Sequence, residues 1–295
     1  MGALIAQGRA VLDLPATLDG AGRGGWLPPY NAGEWWNVDG SVWSLVRSSV
    51  AAAVRADDKT VEQWKKHGKV HALEEVDLFA PVPRPGKLIC IGLNYRDHAA
   101  ESKMAVPANP VMFSKFSTSI VGPDAAVVLP VGSEKSDYEA ELAFVIGRTA
   151  KRVTRADAMN HVVGYCCFND VSERGFQFSD GQWQRGKSCD TFAPMGPYVV
   201  TADEVANPHD LAIKLRLNGQ TMQNARTSDL IFDIPHLIEF ISQSITLEPG
   251  DVIATGTPPG VGFARTPPVF LKAGDRMEVE IEGLGVLASS VVAAR

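Results

Sequence analysis

Short apolar runs separated by turn residues dominate the chain from about residue 87 onward. Leu142 to Ile146 is an unbroken apolar run, rich in β-branched and aromatic side chains and closed by Gly147, and it predicts a buried strand. Gly164 to Phe168 predicts a second one. The pattern predicts strands at residues 88–91, 126–129, 140–146, 163–168, 198–201, 213–217, 252–255, 276–281 and 288–292.

Turn and capping residues predict how these strands are connected. Asn218-Gly219 is a strong hairpin signal. One helix is predicted over Arg155 to His161, with Thr154 as N-cap, and another over Ile234 to Ser242, with Asp233 as N-cap. Because strands greatly outnumber helices and do not alternate with them, we expect a mixed α+β fold that is mainly β, a β-roll or sandwich rather than a doubly wound parallel sheet.

The first 80 residues have a different pattern and predict a small N-terminal α+β region. Leu4 to Leu14 indicates a hairpin or short strands, Gly20 to Gly25 indicates a turn, and helices are predicted over 42–55 and 59–67. The proline-rich segment 81–86 can be neither a regular helix nor a central strand. We therefore predict a small domain at residues 1–80 and a catalytic domain at residues 85–293.

Composition narrows the classes of partner. The 295 residues carry a formal net charge of -6 without a basic cluster, so we expect no nucleic-acid or anionic-membrane partner. No apolar run approaches the roughly 20 residues of a membrane span, and the N-terminus does not resemble a signal peptide. The four cysteines show no zinc spacing and are interpreted as thiols in a reducing compartment. We expect a cytoplasmic protein.

Three carboxylates carry the first candidate chemistry. Glu139 and Glu141 are two apart on a predicted strand, so their side chains point the same way and repel each other unless a cation lies between them. Asp170 follows the next apolar strand and is a candidate third ligand. Carboxylate oxygens suit Mg, Mn or Ca better than zinc. The alternative is a Glu-x-Glu pair on a solvent-facing strand edge.

A His/Glu pair is the second candidate. His98 and Glu101 are three apart after the first strand of the predicted domain, so on one helical turn they share a face. A carboxylate beside an imidazole fixes its tautomer and raises its basicity, which suits a general base that activates water. An ordinary ion pair on a helix surface is the alternative.

Two loops complete the candidate chemistry. Basic and amide side chains follow Asp170, and a basic group near a metal site suits an anionic substrate or a developing oxyanion. These side chains are Arg174, Gln177, Gln182, Arg185 and Lys187. The loop from Thr255 to Gly262 offers glycine amides and threonine hydroxyls to an anion, but it lacks dinucleotide-binding glycine spacing. Surface charges and a bare turn are the alternatives.

In this order, the segments resemble the fumarylacetoacetate hydrolase family, over about residues 85 to 293. The pieces that carry the resemblance are Ile91-Gly92-Leu93-Asn94-Tyr95 with His98 and Glu101, Ser114-Lys115, Asp137-Tyr138-Glu139 with Glu141-Leu142, Asn169-Asp170-Val171-Ser172 with Arg174, Gly186-Lys187-Ser188 with Asp190-Thr191, and Thr255-Gly256-Thr257-Pro258. The segments around Arg174 and Lys187 look most like the branch that hydrolyses 2,4-diketo-3-deoxy sugar acids such as those from rhamnonate or fucose. Gly175 departs from the larger residue that many relatives carry there.

The resemblance implies a β-roll catalytic domain, a homodimer and a site with assigned roles. It implies Mg or Mn held by Glu139, Glu141 and Asp170, and a short lid helix with His98 and Glu101. It also implies an active-site lysine at Lys187, with Arg174, Gln177, Lys115 and Thr257 at the substrate.

These features predict a hydrolase that cleaves the C–C bond of a 2,4-diketo acid, an acylpyruvate or sugar-acid derivative, into pyruvate and a carboxylic acid. His98 would activate water, Lys187 would stabilise the oxyanion, and the metal would stabilise the pyruvate enolate. The alternatives are decarboxylation of oxaloacetate and isomerisation of a 2-hydroxyhepta-2,4-dienedioate-type acid, which use the same enolate. A non-catalytic binder of small oxo acids is the hypothesis from another class.

Overall fold

The computed structural model describes residues 2–5, 10–19, 32–179 and 181–294. These residues separate into two compact units, Met1–Leu78 and Phe79–Arg295. The glycine-rich turn expected at 20–25 lies outside the described residues. Among the residues that are described, no helix combines the length and apolar character needed to cross a membrane.

The first unit contains a small antiparallel sheet and short helices. Its described elements are β1 (Gly2–Ile5), β2 (Ala10–Asp13), α1 (Leu14–Asp19), α2 (Ala32–Trp36), α3 (Ser41–Val54), α4 (Asp58–Lys66) and β3 (Val70–Ala72). Strand β2 pairs with both β1 and β3, and Leu12 and Val70 on these strands are buried. The carboxylate of Asp57 accepts a hydrogen bond from the Thr60 amide and so caps α4. The expected short strands, which pair antiparallel, and the two expected helices are confirmed.

The second unit is built mainly from strands. Its described strands are β4 (Leu88–Gly92), β5 (Val111–Ser114), β6 (Ile120–Val121), β7 (Ala126–Leu129), β8 (Ser136–Asp137), β9 (Ala140–Ile146), β10 (Val162–Asn169), β11 (Ser172–Glu173), β12 (Ala193–Thr201), β13 (Ala212–Leu217), β14 (Gln220–Arg226), β15 (Val252–Ala254), β16 (Arg276–Ile281) and β17 (Gly285–Ala293). Its described α-helices are α5 (Arg96–Glu101), α6 (Arg174–Gln177), α7 (Gln184–Lys187) and α8 (Ile234–Ser242). The fold is therefore mixed α+β and mainly β, as expected.

The described strands of the second unit form three sheets. A seven-stranded mixed sheet has the order β5-β4-β15-β9-β10-β12-β6, a five-stranded sheet has the order β14-β13-β16-β17-β7, and β8 pairs with β11. The two larger sheets pack against each other where β9 and β10 contact β13, β16 and β17. Every residue of β9 and β10 is buried, as the continuous apolar runs predict.

Side chains of both large sheets share one hydrophobic core. Phe144 and Tyr165 from the seven-stranded sheet and Leu215 and Val279 from the five-stranded sheet are at most 1% exposed and belong to this core. Burial of each such large apolar side chain stabilises the folded state by roughly 1.5–3 kcal/mol. The strand ends that rise from this core are therefore held rigidly, and these ends carry the candidate chemistry.

Local signals predicted two connections well and one wrongly. Asn218 and Gly219 have φ values of 52° and 79° and form the β13–β14 turn, and the Asp233 side chain caps α8. The helix expected over 155–161 is wrong, because that segment contains only a 3₁₀ turn at Ala158–His161. The Arg155 amide donates to Glu239 on α8 instead of entering a helix, so a tertiary contact overrides the local pattern.

Candidate active site

Strand register brings the three predicted metal-ligating carboxylates together. Strands β9 and β10 are antiparallel, with Asn169 opposite Ala140, so the residue after β10 lies opposite the residue before β9. The Asp170 amide donates to the Glu139 carbonyl at 2.9 Å. Glu141, two residues beyond Glu139, presents its carboxylate to the same place.

The carboxylate trio is compact and buried. One oxygen from each of Glu139, Glu141 and Asp170 lies within 4.8 Å of the others, and all three residues are at most 5% exposed. Glu141 Oε2 also accepts a hydrogen bond of 2.9 Å from the Gly256 amide. Three buried carboxylates are hard oxygen donors that repel one another, so the residues present fit a Mg or Mn ion.

Two lysines hold the Asp170 carboxylate from either side. Lys187 Nζ is 2.7 Å from both Asp170 Oδ2 and Glu139 Oε2, and Lys115 Nζ is 2.5 Å from Asp170 Oδ1. Lys115 also donates to the Val171 carbonyl, and its side chain is fully buried. These contacts place Lys115 against Asp170, and its expected role at the substrate stays a prediction.

Arg174 has a carboxylate partner that the sequence patterns did not single out for a role. Its guanidinium donates to Asp137 Oδ2 at 2.8 and 2.9 Å and pairs with Glu139 Oε1 at 2.6 Å. Asp137 is fully buried and also accepts the Gly262 and Phe263 amides. Asp137 thus connects Arg174 to the far end of the 255–262 loop. The sequence did offer a signal for Asp137, because it lies two residues before Glu139 and therefore continues the alternation of Glu139 and Glu141.

The electrostatics of the trio are asymmetric. Burial alone would raise the pKa of Glu139, but Lys187 and Arg174 outweigh burial and hold this pKa at about 2. Burial, Asp170 and Glu139 together raise the pKa of Glu141 well above its ordinary value. Burial opposes the charge of Lys187, yet Asp170 and Glu139 raise its pKa overall, so Lys187 is a cation and not a base.

The His/Glu pair forms as expected on the short helix α5. His98 Nδ1 lies 2.9 Å from Glu101 Oε1, and His98 is 6% exposed. The Gly260 amide donates to both Glu101 oxygens, at 2.9 and 3.1 Å. Gly260 has a φ of +105°, and an added Cβ would lie 2.2 Å from the Met222 carbonyl, so this position requires glycine. The loop therefore fixes the carboxylate that orients His98.

One small pocket collects most of the predicted residues. Seven of them line it: His98, Glu139, Glu141, Arg174, Gln177, Lys187 and Thr257. The other three, Glu101, Lys115 and Asp170, each contact a buried charged or polar group of the same cluster. The apolar part of the lining includes Phe113, Phe178, Trp183, Phe263 and Met104.

A buried glutamine that sequence reasoning missed connects the two sheets at this site. Gln223 lies on β14 of the five-stranded sheet and is 1% exposed. It contacts Ala140, which lies between Glu139 and Glu141, and the loop residues Thr257 and Pro258. No local pattern marks Gln223, because its partners lie 34 to 83 residues away along the chain.

A family model described as "Fumarylacetoacetate (FAA) hydrolase C-terminal" matches residues 87–292. The chain belongs to the fumarylacetoacetate hydrolase family. The matched range contains every predicted site residue and nearly all of the second unit. It follows that the chain is an enzyme of this family, and its carboxylate trio has the geometry to hold a metal ion.

Relatives within the fumarylacetoacetate hydrolase family narrow the comparison. Oxaloacetate tautomerase Fahd2a, mitochondrial, from Rattus norvegicus is 50% identical over 219 residues, which cover 74% of this chain and 70% of that protein. A candidate HpcE protein from Mycobacterium smegmatis has a TM-score of 0.79 at 34% identity and covers 98% of this chain and 95% of its own. The 2-hydroxyhepta-2,4-diene-1,7-dioate isomerase from Mycobacterium marinum has a TM-score of 0.67 at 43% identity, covering 77% and 81%.

These relatives correct two expectations. The resemblance to the fumarylacetoacetate hydrolase family is confirmed, but the narrower resemblance to sugar-acid hydrolases is not, because the named relatives are a tautomerase and an isomerase. The expectation of a cytoplasmic protein is contradicted, because the rat relative is described as mitochondrial. The homodimer and the individual roles of the site residues stay predictions.

Proposed function

We propose that this chain is a divalent-metal-dependent enzyme that interconverts the keto and enol forms of a small 2-oxo dicarboxylic acid, with oxaloacetate as the first substrate to test. The observation that carries the proposal is a buried carboxylate trio, a buried lysine and a His/Glu pair around one small pocket. The 50% identity to an oxaloacetate tautomerase supports the choice of substrate.

The charge of the pocket suits an anionic substrate. The buried charged groups that belong to the trio or form ion pairs with one another there are the carboxylates Asp137, Glu139, Glu141 and Asp170 and the cations Lys115, Arg174 and Lys187. With all of them ionised, the cluster carries a formal charge of −1, and a divalent cation would change that charge to +1. A positively charged pocket favours the binding of a carboxylate.

Each side chain has a distinct task in the proposed reaction. A divalent ion held by the trio would supply Lewis acidity toward the 2-oxo group of the substrate. His98, whose Nδ1 is engaged by Glu101, keeps Nε2 for moving the proton at C3 of the oxo acid. Lys187, held as a cation, stabilises negative charge that develops on the substrate oxygen. Arg174 and Thr257 line the pocket and orient the carboxylate.

The proposal is tested by following the keto–enol interconversion of oxaloacetate by ultraviolet absorbance. The purified protein is assayed with Mg²⁺ or Mn²⁺, after EDTA treatment, and after the metal is restored. We expect metal-dependent acceleration over the buffer-catalysed rate. Pyruvate is measured in the same samples, because decarboxylation of oxaloacetate releases pyruvate and tautomerisation does not. Unchanged interconversion in the presence of metal would refute the tautomerase assignment.

Hydrolysis of a C–C bond is a second candidate, and the His98–Glu101 pair favours it. A histidine oriented by a carboxylate is suited to activating water for attack on a carbonyl. The apolar wall of Phe113, Phe178 and Trp183 suits an uncharged acyl group better than a second carboxylate. Pyruvate release from a panel of acylpyruvates, scored against the interconversion of oxaloacetate, decides between the two.

A further inference from the structure

The side-chain amide of Gln223 makes three hydrogen bonds at the edge of the pocket. Its Oε1 accepts the Ala140 amide at 2.9 Å, and its Nε2 donates to Thr257 Oγ1 and to the Pro258 carbonyl, both at 2.8 Å. A primary amide offers two N–H donors at its nitrogen and an oxygen that can accept two hydrogen bonds. In this side chain, which is 1% exposed, both donors and one of the two acceptor positions have protein partners.

The orientation of this amide is fixed by two partners that have no choice of role. The Ala140 amide can only donate, and the Pro258 carbonyl can only accept. If the amide were flipped, its NH₂ would face the Ala140 N–H, and its oxygen would face the Pro258 oxygen. The flipped form is excluded, so Nε2 faces the loop.

The orientation of the Gln223 amide decides whether the third partner, Thr257, donates or accepts. A hydroxyl can donate or accept, but toward Gln223 Nε2 the Thr257 oxygen must accept. No other hydrogen bond of the Thr257 hydroxyl occurs within the described ranges, and Thr257 lines the pocket beside Glu141 and Lys187. The hydroxyl proton is therefore left for a group inside the pocket.

We propose that Gln223 is a positioning residue that holds the Thr257 hydroxyl as a hydrogen-bond donor toward the carboxylate of a bound oxo acid. This assignment rests on the proposed function, because the carboxylate it serves is that of an oxo-acid substrate. Gln223 does not touch the substrate. Gln223 makes the Thr257 hydroxyl a donor toward the substrate. It also connects Thr257 to the segment that carries Glu139 and Glu141.

The test uses oxalate, a small dianion that presents the vicinal oxygens of an oxo acid and is not turned over. Its affinity for the Mg²⁺-loaded protein is measured by isothermal titration calorimetry. In Q223E the new carboxylate keeps the Ala140 hydrogen bond but recruits the Thr257 proton to itself. We expect oxalate to bind about tenfold more weakly to Q223E, and similarly to T257V, while T257S keeps wild-type affinity.

The decisive comparison is the double variant. If Gln223 acts through the Thr257 hydroxyl, Q223E lowers oxalate affinity no further in the T257V background. An equal further loss would overturn the proposal, because Gln223 would then act by another route. Q220E adds the same charge at an exposed position of the same strand, and it controls for charge alone.

Two further readouts keep the proposal testable if Q223E folds poorly. T257V that binds oxalate as tightly as the wild type would overturn the donor role of Thr257 without any change at Gln223. In turnover assays, T257V is expected to raise KM with kcat little changed, because the carboxylate is bound equally in the ground state and the transition state. Oxalate binding requires no turnover, so the donor assignment is judged even if tautomerase activity is absent.

Discussion

Two groups of charged residues in the second unit differ in what has the largest influence on the pKa of a carboxylate. The buried charge network comprises Asp137, Glu139, Glu141, Asp170, Lys115, Arg174 and Lys187. The network that we call the exposed charge network comprises Arg216 on β13 and Glu278 and Glu280 on β16, whose side chains are 24%, 30% and 42% exposed. In the exposed network, the hydrogen bond to Arg216 is the largest influence on the pKa of Glu280 and lowers it. In the buried network, burial is the largest influence on the pKa of Glu141.

This difference shows what burial adds to ordinary charge pairing. On the surface, each carboxylate is relieved by its partner and by water, so nothing further is needed. Around the trio, the cations relieve Glu139 but leave Glu141 opposed by Asp170 and Glu139. The negative charge of Glu141 is therefore not balanced within the buried network, and a divalent cation would balance it.

The strongest test of this contrast is to remove the uncompensated carboxylate. E141Q should lower activity by at least about 10³-fold, because it removes a metal ligand and with it several kcal/mol of charge stabilisation. Mn²⁺ binding, followed by calorimetry or by the electron paramagnetic resonance of the ion, should weaken in parallel. E280Q makes the same chemical change in the exposed network and should retain both properties. A fully active E141Q would remove the basis for the contrast.

The next largest effect is expected at the residue that the buried network positions beside the substrate. H98A should reduce kcat about a hundredfold, because it removes the proposed proton carrier, while Mn²⁺ affinity stays close to wild type. H161A changes a histidine at the 3₁₀ turn and is the matched control. If H98A kept the wild-type rate, His98 would not be the base, and another group would have to move the proton.

The pH dependence of the metal-free protein sharpens the contrast. Because burial, Asp170 and Glu139 raise the pKa of Glu141 above its ordinary value of 4.5, the native state keeps a proton that the unfolded chain releases. The free energy of unfolding should therefore fall as pH rises from about 4.5 through the raised pKa. In EDTA, denaturant unfolding between about pH 5 and about pH 8 should show a smaller fall for E141Q than for the wild type. Equal falls would contradict this account of Glu141.

The smallest effect is expected in the exposed network. R216M should change the free energy of unfolding by at most about 1 kcal/mol, and the change should shrink with added salt, because solvent screens these charges. Activity and Mn²⁺ affinity should stay at the wild-type level. Urea unfolding at low and high salt measures the first effect. A loss of metal affinity in R216M would show that the two networks are coupled.

Sequence patterns predicted the parts of the site that depend on local structure. Glu139 and Glu141 are two apart at the start of a strong apolar strand, and Asp170 follows another, so alternation and strand ends were enough to group them. His98 and Glu101 needed only the spacing of one helical turn. In the same way, the mainly β fold followed from apolar runs and turn residues.

Residues whose role depends on the meeting of distant segments were beyond such patterns. Gln223 reaches the site because one sheet packs on the other, and Asp137 receives amides from a loop more than a hundred residues away. Lys115 was predicted at the substrate from the Ser114-Lys115 motif. Its contact with Asp170 depends on long-range packing, which the motif does not indicate. The predicted helix at Arg155 is wrong for the same reason, because the Arg155 amide donates a hydrogen bond to Glu239 on the distant helix α8.

The antiparallel register of β9 and β10 has a consequence for how long the folded enzyme persists. Asp170 meets Glu139 only when these two strands are paired in the native alignment, and a slip of one residue would turn one carboxylate away. An ion held by Glu139 and Asp170 would strengthen a contact that must break before the central sheet opens. Its stabilising effect should thus be expressed mainly as a slower unfolding rate, so that most of its equilibrium gain becomes a longer lifetime of the folded, metal-loaded protein.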